Sequence, residues 1–215
     1  AYRMQACGGL PKRPPTEKDL HWQIRHFTDF FWVSGGLFAE MNIHQIDEIC
    51  WLKDAWPVSA HGQGGRQVRT EADQLFDHYA VEYSFADGTR LFAQARHQAN
   101  TWGFFGDVIH GAKGSAVLGE GIPQPKLYKG HKQSQENVAW EYKGPPSNQY
   151  QKEHDLLFAA IREDTPHNET QRCAYAAMTG ILGRMAAESG QMITWEQALA
   201  SDLELAPGLD QYTME

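Results

Sequence analysis

Glu40, His44 and Asp47 recur at spacings of four and three within residues 35–52, a stretch with no glycine or proline after Gly35-Gly36. At about 100° per residue, a helix through it gathers them with Trp51 into a sector of roughly 60°. Leu37 and Met41 border that sector on one side and Ile43, Ile46 and Cys50 on the other, so the expectation is of ionisable groups in an apolar surround. Carboxylates beside a histidine in such a place shift one another's pKa values and yield an acid/base group suited to neutral pH. The same spacing also fits a histidine and carboxylate that only satisfy each other's hydrogen bonds in a core. The run His44-Gln45-Ile46-Asp47-Glu48 lacks the second histidine of a zinc-protease helix.

Such a helix needs a scaffold. The chain of 215 residues is read as one domain over residues 1–206, with residues 207–215 as a tail. A formal charge of −8 without any Lys/Arg-rich segment argues against a nucleic-acid partner, which needs clustered positive charge. No apolar run approaches the roughly 18 residues of a membrane span. Cys7, Cys50 and Cys173 are odd in number and widely spaced, and read as reduced thiols, not as a disulfide framework. That fits a cytoplasmic protein and leaves a periplasmic one open. The chain begins at Ala1 in an alternating pattern, Tyr2, Met4 and Ala6 against Arg3 and Gln5, so a strand is expected from the first residue. No signal peptide is visible, which says little if the chain was cut from a longer one.

Residues 8–15 read as a loop, and within 16–32 the residues Trp22, Arg25, His26, Asp29 and Trp32 read as a short helix facing the main one. From Pro57 to about residue 141 the pattern alternates. Strands are expected at 58–63, 77–86, 89–98, 103–110, 115–118, 126–129 and 138–141. Gly62-Gln63-Gly64-Gly65 has no helix-forming pattern after it, so a bulge or close backbone approach is expected there, not a dinucleotide loop. Asp87-Gly88 reads as a two-residue hairpin turn, which sets Tyr83 opposite Phe92, Val81 opposite Gln94, Tyr79 opposite Arg96 and His78 opposite His97. Tyr150, His154, Leu157, Phe158 and Ile161 form a helical stripe, taken as core. A longer helix runs to Ser189 with Asn168 as its cap, and Thr194-Trp195-Glu196-Gln197 is a capping box for a last one. The fold class is therefore α+β: a large, mainly antiparallel sheet of sequential neighbours, helices on one face and the other face open for oligomerisation.

The order Gly35-Gly36, Glu40, His44, Asp47, Trp51, Pro57, then Gly64-Gly65-Arg66, Asp87-Gly88, Ile109-His110-Gly111-Ala112-Lys113-Gly114 and the closing helices resembles the C-terminal domain of the Gfo/Idh/MocA oxidoreductases over nearly the whole chain. That resemblance implies His44 as the proton-transfer residue, with Glu40 and Asp47 as acidic partners; many members carry Asp at the earlier position, so Glu40 is a departure. It implies a sugar or polyol substrate, a nicotinamide cofactor (NAD or NADP) bound mainly by an N-terminal Rossmann domain, and a homo-oligomer formed through the open sheet. The dinucleotide fingerprint and catalytic lysine of that domain are absent from these residues, so this chain is expected to be the C-terminal half of a longer protein. Arg66, Arg96, Trp102 and Arg25 are the expected substrate contacts, since guanidinium forks and an aromatic face suit a sugar. Two rival readings remain, a metal-dependent sugar lyase or isomerase with mixed N and O ligands, and a non-catalytic binding or assembly module.

Overall fold

Alternation along so many short segments produces one nine-stranded sheet. The computed structural model describes residues 1–119 and 121–211. Its strands are β1 (Tyr2–Gln5), β2 (Ser59–Gly65), β3 (His78–Ser84), β4 (Arg90–His97), β5 (Phe104–His110), β6 (Gly114–Leu118), β7 (Lys126–Lys129), β8 (Val138–Glu141) and β9 (Ile193–Thr194). They lie in the order β8-β7-β6-β5-β1-β4-β3-β2-β9. The helices are α1 (Asp19–Arg25), α2 (Phe31–Ser34), α3 (Ile43–Lys53), α4 (Gln149–Glu163), α5 (Thr170–Ser189) and α6 (Trp195–Leu199). The class is α+β and the sheet mainly antiparallel, as expected. Among the described residues no helix is long and apolar enough to cross a membrane. Of the expected tail, residues 209–211 form a 3-10 turn and residues 212–215 lie outside the described residues.

The sheet is not built only from sequential neighbours. β1 enters its middle, parallel to β4 and antiparallel to β5. Alternation identifies a strand but not its partners, and both ladders of β1 join residues about ninety or more positions apart. The consequence is that Arg3, which pairs with Ala95, sits in the interior of the sheet.

The β3–β4 hairpin is one residue out of the expected register. Phe85 N donates to Thr89 O, closing a three-residue loop of Ala86, Asp87 and Gly88, and Gly88 takes φ 84°. The Asp87 carboxylate accepts from Thr89 N and from Lys53 Nζ at the end of α3, each contact 2.8–2.9 Å. A loop with glycine in the left-handed region at its last position is the three-residue alternative to the two-residue turn. Tyr83 therefore faces Leu91, Val81 faces Ala93, Tyr79 faces Ala95 and His78 faces Arg96. A shift of one exchanges the two faces of one strand relative to the other. Tyr79, Val81, Tyr83, Leu91, Ala93 and Ala95 all point to the helices, and Phe92 and Arg96 point away.

The core lies between that face and two helices. Phe38, Ile46 and Cys50 from the main helix and Leu182, Ala186 and Ala187 from α5 pack on it. α5 can come this close because its contact face is small: a Cβ on Gly183 would lie 2.0 Å from Tyr83 Oη. That hydroxyl donates to Thr179 O on the same helix at 2.9 Å. The capping box of Thr194 and Gln197 is present, whereas Asn168 accepts only from Thr170 N and Glu169 precedes the helix.

One expectation fails outright. The stripe on α4 is not core: no residue of α4 is buried, and Tyr150 and Ile161 are 69% and 64% exposed. Periodicity marks a face that favours burial, but it does not say which molecule supplies the cover. The short helix expected through Trp22, Arg25, His26, Asp29 and Trp32 is instead broken into α1, a 3-10 turn at Phe27–Asp29 and α2, beside a small separate cluster of Leu10, Trp22 and Phe30.

Candidate functional site

The main helix opens with a wide π turn, Phe38–Asn42, that runs into α3. A π turn inserts a residue into the α repeat, so Glu40 no longer lies at the angle that uniform 100° steps assign to it. The buried positions are Phe38, Asn42, Gln45, Ile46 and Cys50. His44 is exposed and Trp51 is 72% exposed. The apolar surround expected for the whole sector is thus corrected: its glutamate is half-buried, and its histidine faces solvent.

Glu40 and His44 still act on each other. Burial raises the Glu40 pKa above its ordinary value, while attraction to His44 and then to Arg3 works against the shift. One Glu40 oxygen, Oε2, is buried with no hydrogen-bond partner among the described residues. Arg3 is buried, with its guanidinium 4.1 Å from the Phe105 ring centre. Reading the sequence alone missed Arg3, because the strand pattern gave no sign that β1 would be enclosed on both sides.

Asp47 is engaged elsewhere. Its Oδ2 accepts from Arg172 Nη2 on α5 at 2.8 Å, and the same guanidinium lies 5.6 Å from the Trp51 ring centre. Asp47, Arg172 and Trp51 tie α3 to α5, leaving Glu40 as the carboxylate that senses His44.

The four expected substrate contacts are not gathered round His44. Arg66 donates to Asp73 Oδ1 and to the carbonyls of Glu71, Asp73 and Leu75, closing the loop after β2. Arg96 reaches Trp102 O, and Trp102 stacks on Phe104 with ring centres 5.5 Å apart, on the sheet face opposite the helices. Arg25 pairs with Glu17 at 2.8 Å.

Beside the π turn the structure shows a cavity of about 200 Å³, bordered by Leu37 and Met41 of the helix and by Gln5, Cys7 and His97. Cys7 Sγ is 3.1 Å from His97 Nδ1. Burial, then repulsion from Arg3 and Arg69, pushes the His97 pKa down to about 4, and burial raises that of Cys7. The pair is therefore a neutral thiol and a neutral imidazole at pH 7. The shifted hairpin register is what turns His97 inward; the expected pairing with His78 concealed it.

Asp77 holds the loop that borders this cavity. Its Oδ2 accepts from the backbone N–H groups of Gln67, Val68 and Arg69 at 2.7–2.9 Å, and its Oδ1 lies 2.8 Å from His78 Nδ1. Arg69, so placed, joins Asp29 and Asp73.

No family model and no curated protein matches this chain, but solved structures do. An aldose-aldose oxidoreductase from Caulobacter crescentus superposes with a TM-score of 0.67 at 12% identity, over 90% of this chain and 53% of its own. The fold is that of the C-terminal domain of Gfo/Idh/MocA oxidoreductases. A UDP-N-acetylglucosamine 3-dehydrogenase from Acidithiobacillus ferrooxidans matches with a TM-score of 0.61 at 14% identity, over 88% of this chain and 52% of its own. So does Gal80p from Saccharomyces cerevisiae, in a super-repressor mutant, with a TM-score of 0.57 at 12% identity, over 94% of this chain and 58% of its own. The chain spans just over half the length of each.

Proposed function

We propose that this chain is the substrate-binding and acid/base half of a nicotinamide-dependent oxidoreductase acting on a sugar or polyol. The observation that carries the reading is the Glu40–His44 pair on the helix over the sheet: an exposed imidazole beside a half-buried carboxylate with an unpaired oxygen. His44 takes the hydroxyl proton of a carbinol as its carbon is oxidised, and Glu40 stabilises the imidazolium that results. Asp47, bound to Arg172, acts by fixing the helix against α5.

The described residues do not fit a dinucleotide. Gly62, Gly64 and Gly65 pair within the β2–β3 ladder, so they form no loop leading to a helix N-terminus of the kind that cradles a pyrophosphate. The hydride acceptor belongs to a separate Rossmann domain, and the bare stripe of α4 is the surface we assign to that domain. Replacing Leu157 and Ile161 with Glu is expected to leave the stability of this chain unchanged within about 0.5 kcal/mol, as at other exposed sites. In the complete protein the same change loosens the joint between the halves, measured as faster proteolysis between them.

Glu40 provides a second test. Its folded pKa lies above the unfolded value near 4.5, so its contribution to stability is full below that pH and is lost as pH rises through the folded value. Glu40→Gln is therefore expected to raise the thermal midpoint at pH 7 while lowering turnover. A lower midpoint with unchanged turnover would make Glu40 an ordinary structural residue. The reading as a whole is tested by assaying the complete protein and its His44→Ala variant with NAD and NADP against a panel of sugars and polyols.

A further inference from the structure

The cavity beside the π turn holds an unusual pair of unmet hydrogen-bonding groups. Gln5 Oε1 and His97 Nε2 are both buried without a partner among the described residues, and both residues line the cavity. They are also direct neighbours, because Gln5 and His97 are register partners at the ends of the parallel strands β1 and β4. The thiol of Cys7 completes the chemistry. With both groups neutral, the S–H donates to His97 Nδ1, the better acceptor, and the ring proton is left on Nε2. The residues that line the cavity therefore hold one unmet donor and one unmet acceptor, both out of contact with solvent.

A buried polar group without a partner costs about 1–3 kcal/mol, so a donor and an acceptor left side by side point to something that fills both roles. A hydroxyl does, since it accepts from N–H and donates to C=O through one oxygen. Arg69, Asp29 and Thr28 extend the polar wall, and Leu37 and Met41 place the cavity one helical turn from Glu40 and His44. We infer that Gln5 and His97 form a hydroxyl-recognition pair that binds the non-reacting end of a polyol, with Cys7 setting the tautomer of His97. The inference rests on the proposed function only for the use made of the bound polyol.

Cys7 gives a direct readout. Cys50 is buried, with its thiol pushed up to about 12, so Cys7 and the exposed Cys173 are the thiols that iodoacetamide reaches, and Cys173 serves as an internal reference. Alkylation is followed by mass spectrometry with and without glycerol, myo-inositol or D-glucose. The expected result is a fall of at least about threefold in the Cys7/Cys173 labelling ratio with at least one polyol, abolished by Gln5→Leu or His97→Ala and kept in His44→Ala. Gln5→Leu, at a half-buried position, covers the case in which His97→Ala fails to fold.

An unchanged ratio with all three polyols overturns the inference and leaves a cavity for water alone, while a His44-dependent turnover would still stand. Protection that survives Gln5→Leu and His97→Ala also overturns it. Protection lost in those variants, together with turnover indifferent to His44, would sustain the binding pair and remove the acid/base reading.

Discussion

Replacing His44 with alanine in the complete protein is expected to lower turnover by a factor of about 10²–10⁴, the range that a positioned acid/base group supplies. Because the side chain is exposed and has no hydrogen bond or ion pair among the described residues, its loss removes only the attraction to half-buried Glu40, and the unfolding midpoint should move far less than turnover. The Michaelis constant should change far less than turnover, since in the proposed reaction the proton moves only as the carbinol is oxidised. Added imidazole has open access to the site and is expected to restore part of the rate. A variant with normal turnover would leave the fold intact and remove its acid/base chemistry, which would favour a binding or assembly module.

Asp77→Ala is expected to lose about 3–5 kcal/mol of stability, the usual cost of removing one partner from a buried charged network. Three backbone donors of residues 67–69 would lose their common acceptor, and Arg66 and Arg69 would be held by Asp73 in a loop no longer anchored to the sheet. Burial by itself raises the Asp77 pKa, but hydrogen bonds from His78, from Val68 and Arg69 N–H and from Gln98 outweigh it, so the net shift is downward. A carboxyl held below its unfolded value stabilises fully above about pH 4 and loses that contribution as pH falls toward the folded value. Urea unfolding at pH 7 and at pH 3 measures both effects: the difference between the native protein and Asp77→Ala should shrink at the lower pH. Equal differences at the two pH values would mean that the network does not depend on the charge.

The two expected results concern residues that differ in how far the sequence exposes them. His44 and Glu40 are legible because their spacing is local, and a helix repeats over a few residues whatever lies around it. Asp77 is not legible, because its donors come from a loop that folds back across ten residues of chain. Arg3 and His97 were hidden by pairing: one depends on β1 entering the middle of the sheet, the other on a loop one residue longer than the Asp-Gly pair suggests. Arg66 is a converse case, for its residue type suits a sugar but its loop consumes the guanidinium.

Local periodicity by itself determined the α+β class, most strand positions, the main helix and the capping box of the last one, since each depends on interactions between residues a few positions apart. Tertiary structure alone decided the place of β1, the face on which each hairpin residue lies, the division of Asp47 from His44 and the bare stripe of α4. Those features depend on contacts between distant segments, whose register and partners no spacing along the chain encodes.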